Sequence, residues 1–269
     1  MAKIDKSLYT KTEFRRLQQE KKIRKLSTTT PTSPYEFNLV CLKHGEKYSA
    51  NYVNVLYNMV SRNTKKAFKF YCLTDNPKNI IPQIICLPLP TIPKLQGWWY
   101  KPYIFSKQLP LTGIILYLDL DLVITGNIDN LVNYKPTQFC IIRDFARSMR
   151  PNWSRFNSSV MKFQAGTLDY VWRKFIDNAS VHMRRFHGDQ DFIYAELGGV
   201  AETWPDNWIK SWKWEIRASR TFAPGGLKGN RKFAEIEHVV APDDCAIAVF
   251  HGDPNPHNCD DPFIKEKWK

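Results

Sequence analysis

The sequence predicts an α/β fold in which a mostly parallel central sheet is flanked by helices. From residue 37 onward, short apolar runs typical of strands alternate with amphipathic segments typical of helices, and this alternation favours βαβ units. The run GIILYL at 113–118 is uninterruptedly apolar, as expected of a strand buried on both faces. With 43% hydrophobic and 14% aromatic residues, the 269-residue chain has ample material for a core.

Six runs are predicted to be strands because each is short and mostly apolar. They are FNLVCLK (37–43), AFKFYCLT (67–74), IICLPL (84–89), GIILYL (113–118), QFCII (138–142) and FNSSVMKF (156–163). Apolar residues at helical spacing predict helices at 49–61, 100–108, 168–178 and 189–197. No internal repeat and no GxGxxG or GxxxxGK[ST] loop is present, which argues against a dehydrogenase or a P-loop protein.

The first 34 residues differ in composition from the remainder. They carry nine basic and three acidic residues and end in the Ser/Thr/Pro stretch STTTPTSP, which has no means of burying a core. We predict a basic leader and linker at 1–34 and a folded domain at 35–269. The leader is either a solvated tail, the reading that charge runs favour, or a helix that rests on an anionic membrane or a partner.

Charge and cysteine usage limit the functional classes. The formal net charge of +13 suits nucleic acid, an anionic membrane surface or a negatively charged small substrate. The six cysteines show no CxxC spacing, so we expect core thiols and neither a disulfide framework nor a zinc site. Because there is no apolar run of about 18 residues and no apolar N-terminal stretch, we expect a soluble, cytoplasmic protein.

Two acidic residues follow the apolar run at 113–118. Asp119 and Asp121 are spaced i and i+2, which in a regular strand places both on one face, at the strand end where α/β sheets bind ligands. Carboxylates this close repel each other unless a cation lies between them. Their oxygens suit Mg²⁺ or Mn²⁺, which also bridges to phosphates. The alternative is a solvated acidic loop, and spacing alone does not decide between the two.

The segment around these acids, YLDLDLVITGNIDNL, resembles the DxD segment of GT-A glycosyltransferases, above all those of family 8. The resemblance implies a GT-A fold, in which a Rossmann-like nucleotide-binding half adjoins an acceptor-binding half. It also implies that Asp119 and Asp121 bind Mn²⁺ (or Mg²⁺) and help to hold the diphosphate of a nucleotide-sugar donor. Further matches follow the family's order over residues 37–256.

Three residues upstream of the acids inherit donor-binding roles from this resemblance. Tyr48 falls where the family places a residue that stacks on uracil, although it equally suits the start of a helix. Asp75 ends the second strand, as in the family, or else caps a turn. Lys101, in GWWYKPYIF, matches a lysine-bearing segment that approaches the donor; the alternative is a surface lysine on an amphipathic helix.

Two segments downstream of the acids resemble sugar-binding elements. FNSSVMKF is similar to the family's FNxGVM strand, which implies a place near the donor sugar for Asn157, with Ser159 in place of the usual glycine. HGDQDFIYAE resembles the DQDxxN segment that opens a helix beside the sugar. Asp189 and Gln190 would there contact the sugar and the reacting face of its anomeric carbon, and they are the candidate catalytic residues.

The C-terminal segment AVFHGDPNPH resembles the element whose histidine is the family's third metal ligand, which implies that role for His251. A neutral imidazole beside two carboxylates is a suitable Mn²⁺ ligand set. Asn255 stands where the family often has a lysine for the diphosphate. We therefore expect either that another base, Lys101, Lys228 or Arg231, compensates or that donor affinity is lower.

Residues and resemblance together predict a metal-dependent glycosyltransferase. It would move a hexose from a nucleoside-diphosphate sugar, with UDP favoured, to a hydroxyl of a carbohydrate or glycolipid acceptor, and retain anomeric configuration. The leader would bring it to the inner face of a membrane. Three alternatives stay open: a catalytically inactive GT-A-like binding protein, a sugar-nucleotide nucleotidyltransferase, and a basic single-stranded nucleic-acid-binding protein. For the last, aromatic and basic residues alternate at 204–220, but no RRM, KH or zinc-finger pattern is present.

Overall fold

The computed structural model describes residues 35–95, 97–217, 241 and 243–269. The predicted leader at 1–34 lies outside these residues, as do Lys228 and Arg231. The strands of the described residues are β1 (Phe37–Lys43), β2 (Phe68–Thr74), β3 (Ile84–Pro88), β4 (Ile114–Leu118), β5 (Leu122–Ile124), β6 (Cys140–Arg143), β7 (Phe156–Gln164), β8 (Glu202–Thr203), β9 (Ile209–Ser211) and β10 (Ile247–Val249). Their α-helices are α1 (Ala50–Asn63), α2 (Asp129–Asn133), α3 (Asp169–Asp177), α4 (Ala179–Arg185), α5 (Asp189–Glu196) and α6 (Pro262–Lys267).

The central sheet has seven strands in the order β3-β2-β1-β4-β7-β6-β8. Strands β3, β2, β1 and β4 pair in parallel, whereas β7 runs antiparallel to both of its neighbours, and β8 pairs in parallel with β6. Most pairings are therefore parallel, and the fold class predicted from the sequence is confirmed.

A second sheet of three strands, in the order β5-β10-β9, lies beside the end of β4. Strand β10 is antiparallel to β5 and parallel to β9. Because β4 belongs to the large sheet and β5 to the small one, the chain passes from one sheet to the other between residues 118 and 122.

Two hydrophobic layers cover the two faces of the central sheet. Along β4, Leu116 and Leu118 pack into one layer, which includes α1, and Ile115 and Tyr117 pack into the other, which includes α3 and α5. The period-2 alternation of side chains explains how one wholly apolar strand supplies both layers. Each face of β4 is thus covered by apolar side chains, and the polar residues that follow it begin at its carboxyl end.

The predicted elements agree with the structure in most places and differ in one that bears on the site. The predicted α-helix at 100–108 is a 3₁₀ helix at Gly97–Phe105 instead. Pro102 lies inside this segment, and in an α-helix its ring would clash with the carbonyl of the residue four positions earlier. The tighter helix contains Lys101.

No helix among the described residues is long and apolar enough to cross a membrane.

Candidate active site

Asp119 and Asp121 lie at the junction between the two sheets, and each is fixed through its backbone. The Asp119 amide donates to the carbonyl of Ser159, at 2.9 Å, and the Phe250 amide donates to the carbonyl of Asp121, also at 2.9 Å. Residues 119–121 form a bend between β4 and β5 and not a continuing strand, so the expectation that both carboxylates share one strand face does not apply. Each carboxylate has its own set of partners.

The ammonium of Lys101 lies among three oxygen-bearing side chains. Its Nζ is 3.0 Å from Asp119 Oδ1 and 3.3 Å from Asp189 Oδ2, and it donates to Ser158 Oγ at 3.1 Å. Lys101 is 6% exposed, so the alternative that it is a surface lysine is wrong. Burial on its own would lower the pKa of Lys101, but Asp119 and Asp189 outweigh burial and raise it. The lysine therefore stays protonated and holds two predicted site residues together.

Asp189 is the first residue of α5 and is itself buried. It accepts a hydrogen bond from Ser158 Oγ at 2.6 Å in addition to its ion pair with Lys101. Burial raises the pKa of Asp189, and the charge of Lys101 opposes that rise. Ser158 was not singled out in the sequence, because a serine in an apolar strand carries no signal of the partner it meets across the fold.

Each of the two acids accepts a hydrogen bond from a different tyrosine hydroxyl. Tyr117 donates to Asp119 Oδ1 at 2.7 Å, and Tyr48 donates to Asp121 Oδ2 at 3.0 Å. Burial, followed by the neighbouring charge of Asp119, raises the pKa of Asp121 to about 6. Asp119 forms an ion pair with Lys101, whereas Lys101 and Lys47 act on Asp121 only through weaker effects that do not offset burial, so the electrostatic penalty of the pair falls on Asp121.

Asp75 lies at the carboxyl end of β2 and shapes the loop after β1. Its Oδ2 accepts from the backbone amide of Gly45 at 2.9 Å, and His44 Nε2 lies 3.9 Å away. The His44 ring also packs on Tyr100, with centroids 4.6 Å apart. Asp75 therefore fixes the loop that leads to Tyr48.

Asn157 and Gln190 have contrasting surroundings. Asn157 Oδ1 accepts from the backbone amide of Ser159 at 3.0 Å, beside the irregularity in β6–β7 pairing, so its carbonyl oxygen is engaged by its own strand. The half-buried side chain of Gln190 makes no hydrogen bond within the described part of the chain. Gln190 follows Asp189 directly, so its side-chain amide is next in sequence to the group formed by Lys101, Asp119, Ser158 and Asp189, which we call the Lys101 cluster.

His251 follows β10 and is held by polar and aromatic contacts. Its Nε2 lies 2.6 Å from Ser211 Oγ, and its ring stacks on Phe145 with centroids 5.9 Å apart. The Trp214 ring meets it edge-on at 4.5 Å. A metal-ligand role through Nε2 requires the hydrogen bond to Ser211 to break.

Known structures share the fold of this chain at low sequence identity. A galactosyltransferase LgtC crystallised with donor and acceptor sugar analogues has a TM-score of 0.58 and 15% identity over 85% of this chain and 93% of its own. The bifunctional glycosyltransferase WbbM has a TM-score of 0.55 and 12% identity over 88% of this chain and 52% of its own. The glycosyltransferase GlyE of Streptococcus pneumoniae has a TM-score of 0.50 and 16% identity over 64% and 46%.

The chain has a GT-A glycosyltransferase fold. No sequence-family profile matches it, and no curated protein sequence matches it. The GT-A assignment rests on the structure and confirms the expectation drawn from the DxD resemblance.

The GT-A resemblance implies a divalent metal ion, and the acids of this site fit one in their chemistry. Asp121 offers hard carboxylate oxygens, and both its burial and the adjacent charge of Asp119, which raise its pKa, are penalties that a nearby cation would relieve. Asp119 offers the same oxygens but shares them with Lys101 and Tyr117. Among the described residues, no three His, Cys, Asp or Glu side chains gather into a metal site, so the structure does not bring His251 into a common set with the two acids.

Proposed function

We propose that this GT-A protein is a glycosyltransferase that moves a hexose from a nucleoside-diphosphate sugar, with UDP favoured, to a hydroxyl of a carbohydrate or glycolipid acceptor. One observation carries the proposal: Lys101 joins Asp119 to Asp189 beside Asp121, where β4 ends and the two sheets meet. Strand ends at such junctions are the usual ligand sites of open α/β sheets. Four sequence-predicted residues thus converge at the expected edge.

The donor is proposed to lie between the loop after β1 and the acids. Asp75 fixes that loop at Gly45, and Tyr48, at the start of α1, links the loop to Asp121. Asp119 and Asp121 would hold Mn²⁺ or Mg²⁺ with His251 as a proposed third ligand. When bound, such an ion neutralises charge on the departing diphosphate. The chain's own contribution is to fix the two carboxylates before the donor arrives, so that no reorganisation is needed during transfer.

The sugar is proposed to lie beside α5. Asp189 is buried and held by Lys101 and Ser158, so its orientation is set before substrate binds. Gln190, which has no partner among the described residues, is free to meet the reacting face of the anomeric carbon. Retention of configuration is part of the proposal and is read by NMR of the product anomer.

The experiment is a thermal-unfolding titration of the full chain with UDP, GDP and CMP, each with and without Mn²⁺. A ligand at 100 times its Kd stabilises by about 2.7 kcal/mol, which shifts Tm by roughly 5–11 °C at about 2–4 °C per kcal/mol for a domain of this size. We expect one nucleotide to stabilise only with metal, and Asp121→Ala to lose that shift. Asp191→Ala is the matched control, since Asp191 lies two residues after Asp189 on the same helix, outside the Lys101 cluster.

The outcomes separate the candidate functions. If no nucleotide stabilises the wild-type chain under any metal condition, the active-transferase proposal fails, and binding of single-stranded oligonucleotides is measured next. If a nucleotide binds but neither sugar transfer nor slow hydrolysis of the corresponding nucleotide sugar is detected, the chain is an inactive GT-A binding protein. The proposed glycolipid acceptor and leader are tested by liposome binding of the chain with and without residues 1–34.

A further inference from the structure

Lys213 lies at the same edge of the small sheet as Asp121. Pairing places Leu122, Val249 and Ser211 side by side across β5, β10 and β9. Asp121 directly precedes the first of these residues, and Lys213 follows the last by two positions, in a π-helical turn at Trp212–Ile216. Because β5 runs antiparallel to the other two strands, these flanking residues emerge at one edge.

The ammonium of Lys213 reaches over the turn that follows β10. Gly252 has φ +74°, and a methyl group added there would lie 3.5 Å from Lys213 Nζ. The charges of Asp253, Arg217 and Asp121 all act on the ammonium, the two acids favouring its charged form and Arg217 opposing it. The lysine thus lies against the glycine turn and within the electrostatic range of Asp121.

Lys213 is also unlike the other buried lysines of the described residues. Lys43, Lys101 and Lys162 each donate to a carbonyl or carboxylate oxygen. Lys213 is 8% exposed, yet within the described residues its ammonium has neither a hydrogen bond nor an ion pair. A lysine buried without a partner loses hydration with no compensating contact, and burial lowers its pKa, with Asp253 opposing. Such a group is suited to an anion that arrives from outside.

We propose that Lys213 binds the diphosphate of the nucleotide sugar, and this inference rests on the function proposed above. Of the bases expected to substitute for a family lysine, Lys101 is held by Asp119 and Asp189; Lys228 and Arg231 lie outside the described residues. Asn255 is neutral, and its backbone amide donates to Asn258 at 2.7 Å. A compact ammonium is a suitable partner for phosphate oxygens, and the adjacent acids point to the phosphate end of the donor.

The test measures the affinities of UDP and uridine by calorimetry, in buffer with Mn²⁺, for the full chain and three variants. Lys213→Met keeps the buried stem and removes the charge, and we expect it to weaken UDP about tenfold or more while leaving uridine unchanged, since a charge-assisted bond is lost. Lys213→Arg should keep most of the UDP affinity. Lys210→Met, on β9 of the same segment, is the matched control and should bind UDP like the wild type.

A second measurement needs no variant. Saturating UDP should protect Lys213 from acetylation by acetic anhydride, read by peptide mass spectrometry, and uridine should not. The inference is overturned if Lys213→Met binds UDP within twofold of the wild type, or if UDP leaves the acetylation rate of Lys213 unchanged. If the wild-type chain binds neither UDP nor GDP, the proposed function itself fails. That result differs from one in which UDP binds the wild type and Lys213→Met equally, which overturns only the role of Lys213.

Discussion

Lys101 Nζ lies within 3.1 Å of both carboxylate oxygens of Asp119, and this ion pair joins a buried lysine to a half-buried acid in the candidate site. The same ammonium reaches Asp189 at 3.3 Å. One positive charge is thus shared between two carboxylates from distant parts of the chain. The arrangement explains why a buried lysine is tolerated here: without it, the buried carboxylate of Asp189 and the half-buried carboxylate of Asp119 would lack a cation between them.

Replacing Lys101 by Met should destabilise the protein by about 3–5 kcal/mol, because a buried ion pair that loses one partner leaves an uncompensated charge. Adding Asp189→Asn to Lys101→Met should recover part of the loss. Urea unfolding at pH 7.5 measures both. The matched control is Lys174→Met: Lys174 pairs with Glu196 at 2.6 Å with its side chain 60% exposed, and an exposed pair contributes at most about 1 kcal/mol. Equal losses for the two lysines would contradict the buried-pair account.

Asp121 makes the free energy of unfolding depend on pH in an unusual direction. Its pKa rises from the ordinary 3.8 to about 6 in the folded protein, so between these values the folded chain binds the proton more tightly than the unfolded chain. The stability that this proton provides is complete below about pH 4 and is lost as the pH rises through 6. At neutral pH the ionised acid opposes folding.

Asp121→Asn should therefore stabilise the metal-free protein at pH 7.5, by on the order of 2–3 kcal/mol from a shift of about two pKa units, while the amide oxygen still accepts from Tyr48. At pH 4 the two proteins should have nearly equal free energies of unfolding. Urea unfolding in EDTA at both pH values checks this. If the stability of the wild-type protein instead rises from pH 4 to 7.5 relative to the variant, the pKa of Asp121 is not raised in the folded protein.

The sequence anticipated the scaffold of this site better than its contacts. Apolar period and length correctly placed β1, β2, β4 and β7 and the start of α5, since burial governs these elements and leaves a repeat in the residue order. The contact from Tyr117 to Asp119 was not predicted. The GT-A fold followed from the DxD resemblance.

The contacts that the sequence did not reveal are those made across the fold. Nothing in the residue order shows that Lys101 meets Ser158 and Asp189, which lie 57 and 88 positions away and are joined to it only by strand order and by a proline-containing 3₁₀ helix. Lys213 was hidden for the same reason, since its place depends on the pairing of three short strands in the small sheet. Such pairings depend on tertiary packing, which local propensity does not encode.

The role of His251 as a metal ligand predicts opposite effects for two substitutions. His251→Ala should weaken Mn²⁺ binding about tenfold or more because a ligand is removed. Ser211→Ala should leave Mn²⁺ affinity unchanged or increase it, since no hydrogen bond to Nε2 then has to break. Electron paramagnetic resonance of free Mn²⁺ gives both affinities in the presence of UDP. If His251→Ala binds Mn²⁺ like the wild type, the histidine is a packing residue between Phe145 and Trp214.

Gln190 and Asp189 are neighbours at the start of α5, yet we expect different effects from their substitutions: Gln190→Ala should lower kcat alone, whereas Asp189→Asn should lower both kcat and stability. The Gln190 side chain makes no hydrogen bond in the described part of the chain, so Gln190→Ala should change the free energy of unfolding by less than about 0.5 kcal/mol. If its amide meets the reacting sugar, kcat for donor turnover should fall by about 10²-fold, the usual cost of removing one group that stabilises a transition state. Asp189→Asn should lower kcat and also weaken the fold, because Lys101 and Ser158 both hold this carboxylate. Steady-state kinetics with urea unfolding reads both quantities, and unchanged kcat in Gln190→Ala would remove Gln190 from the catalytic site.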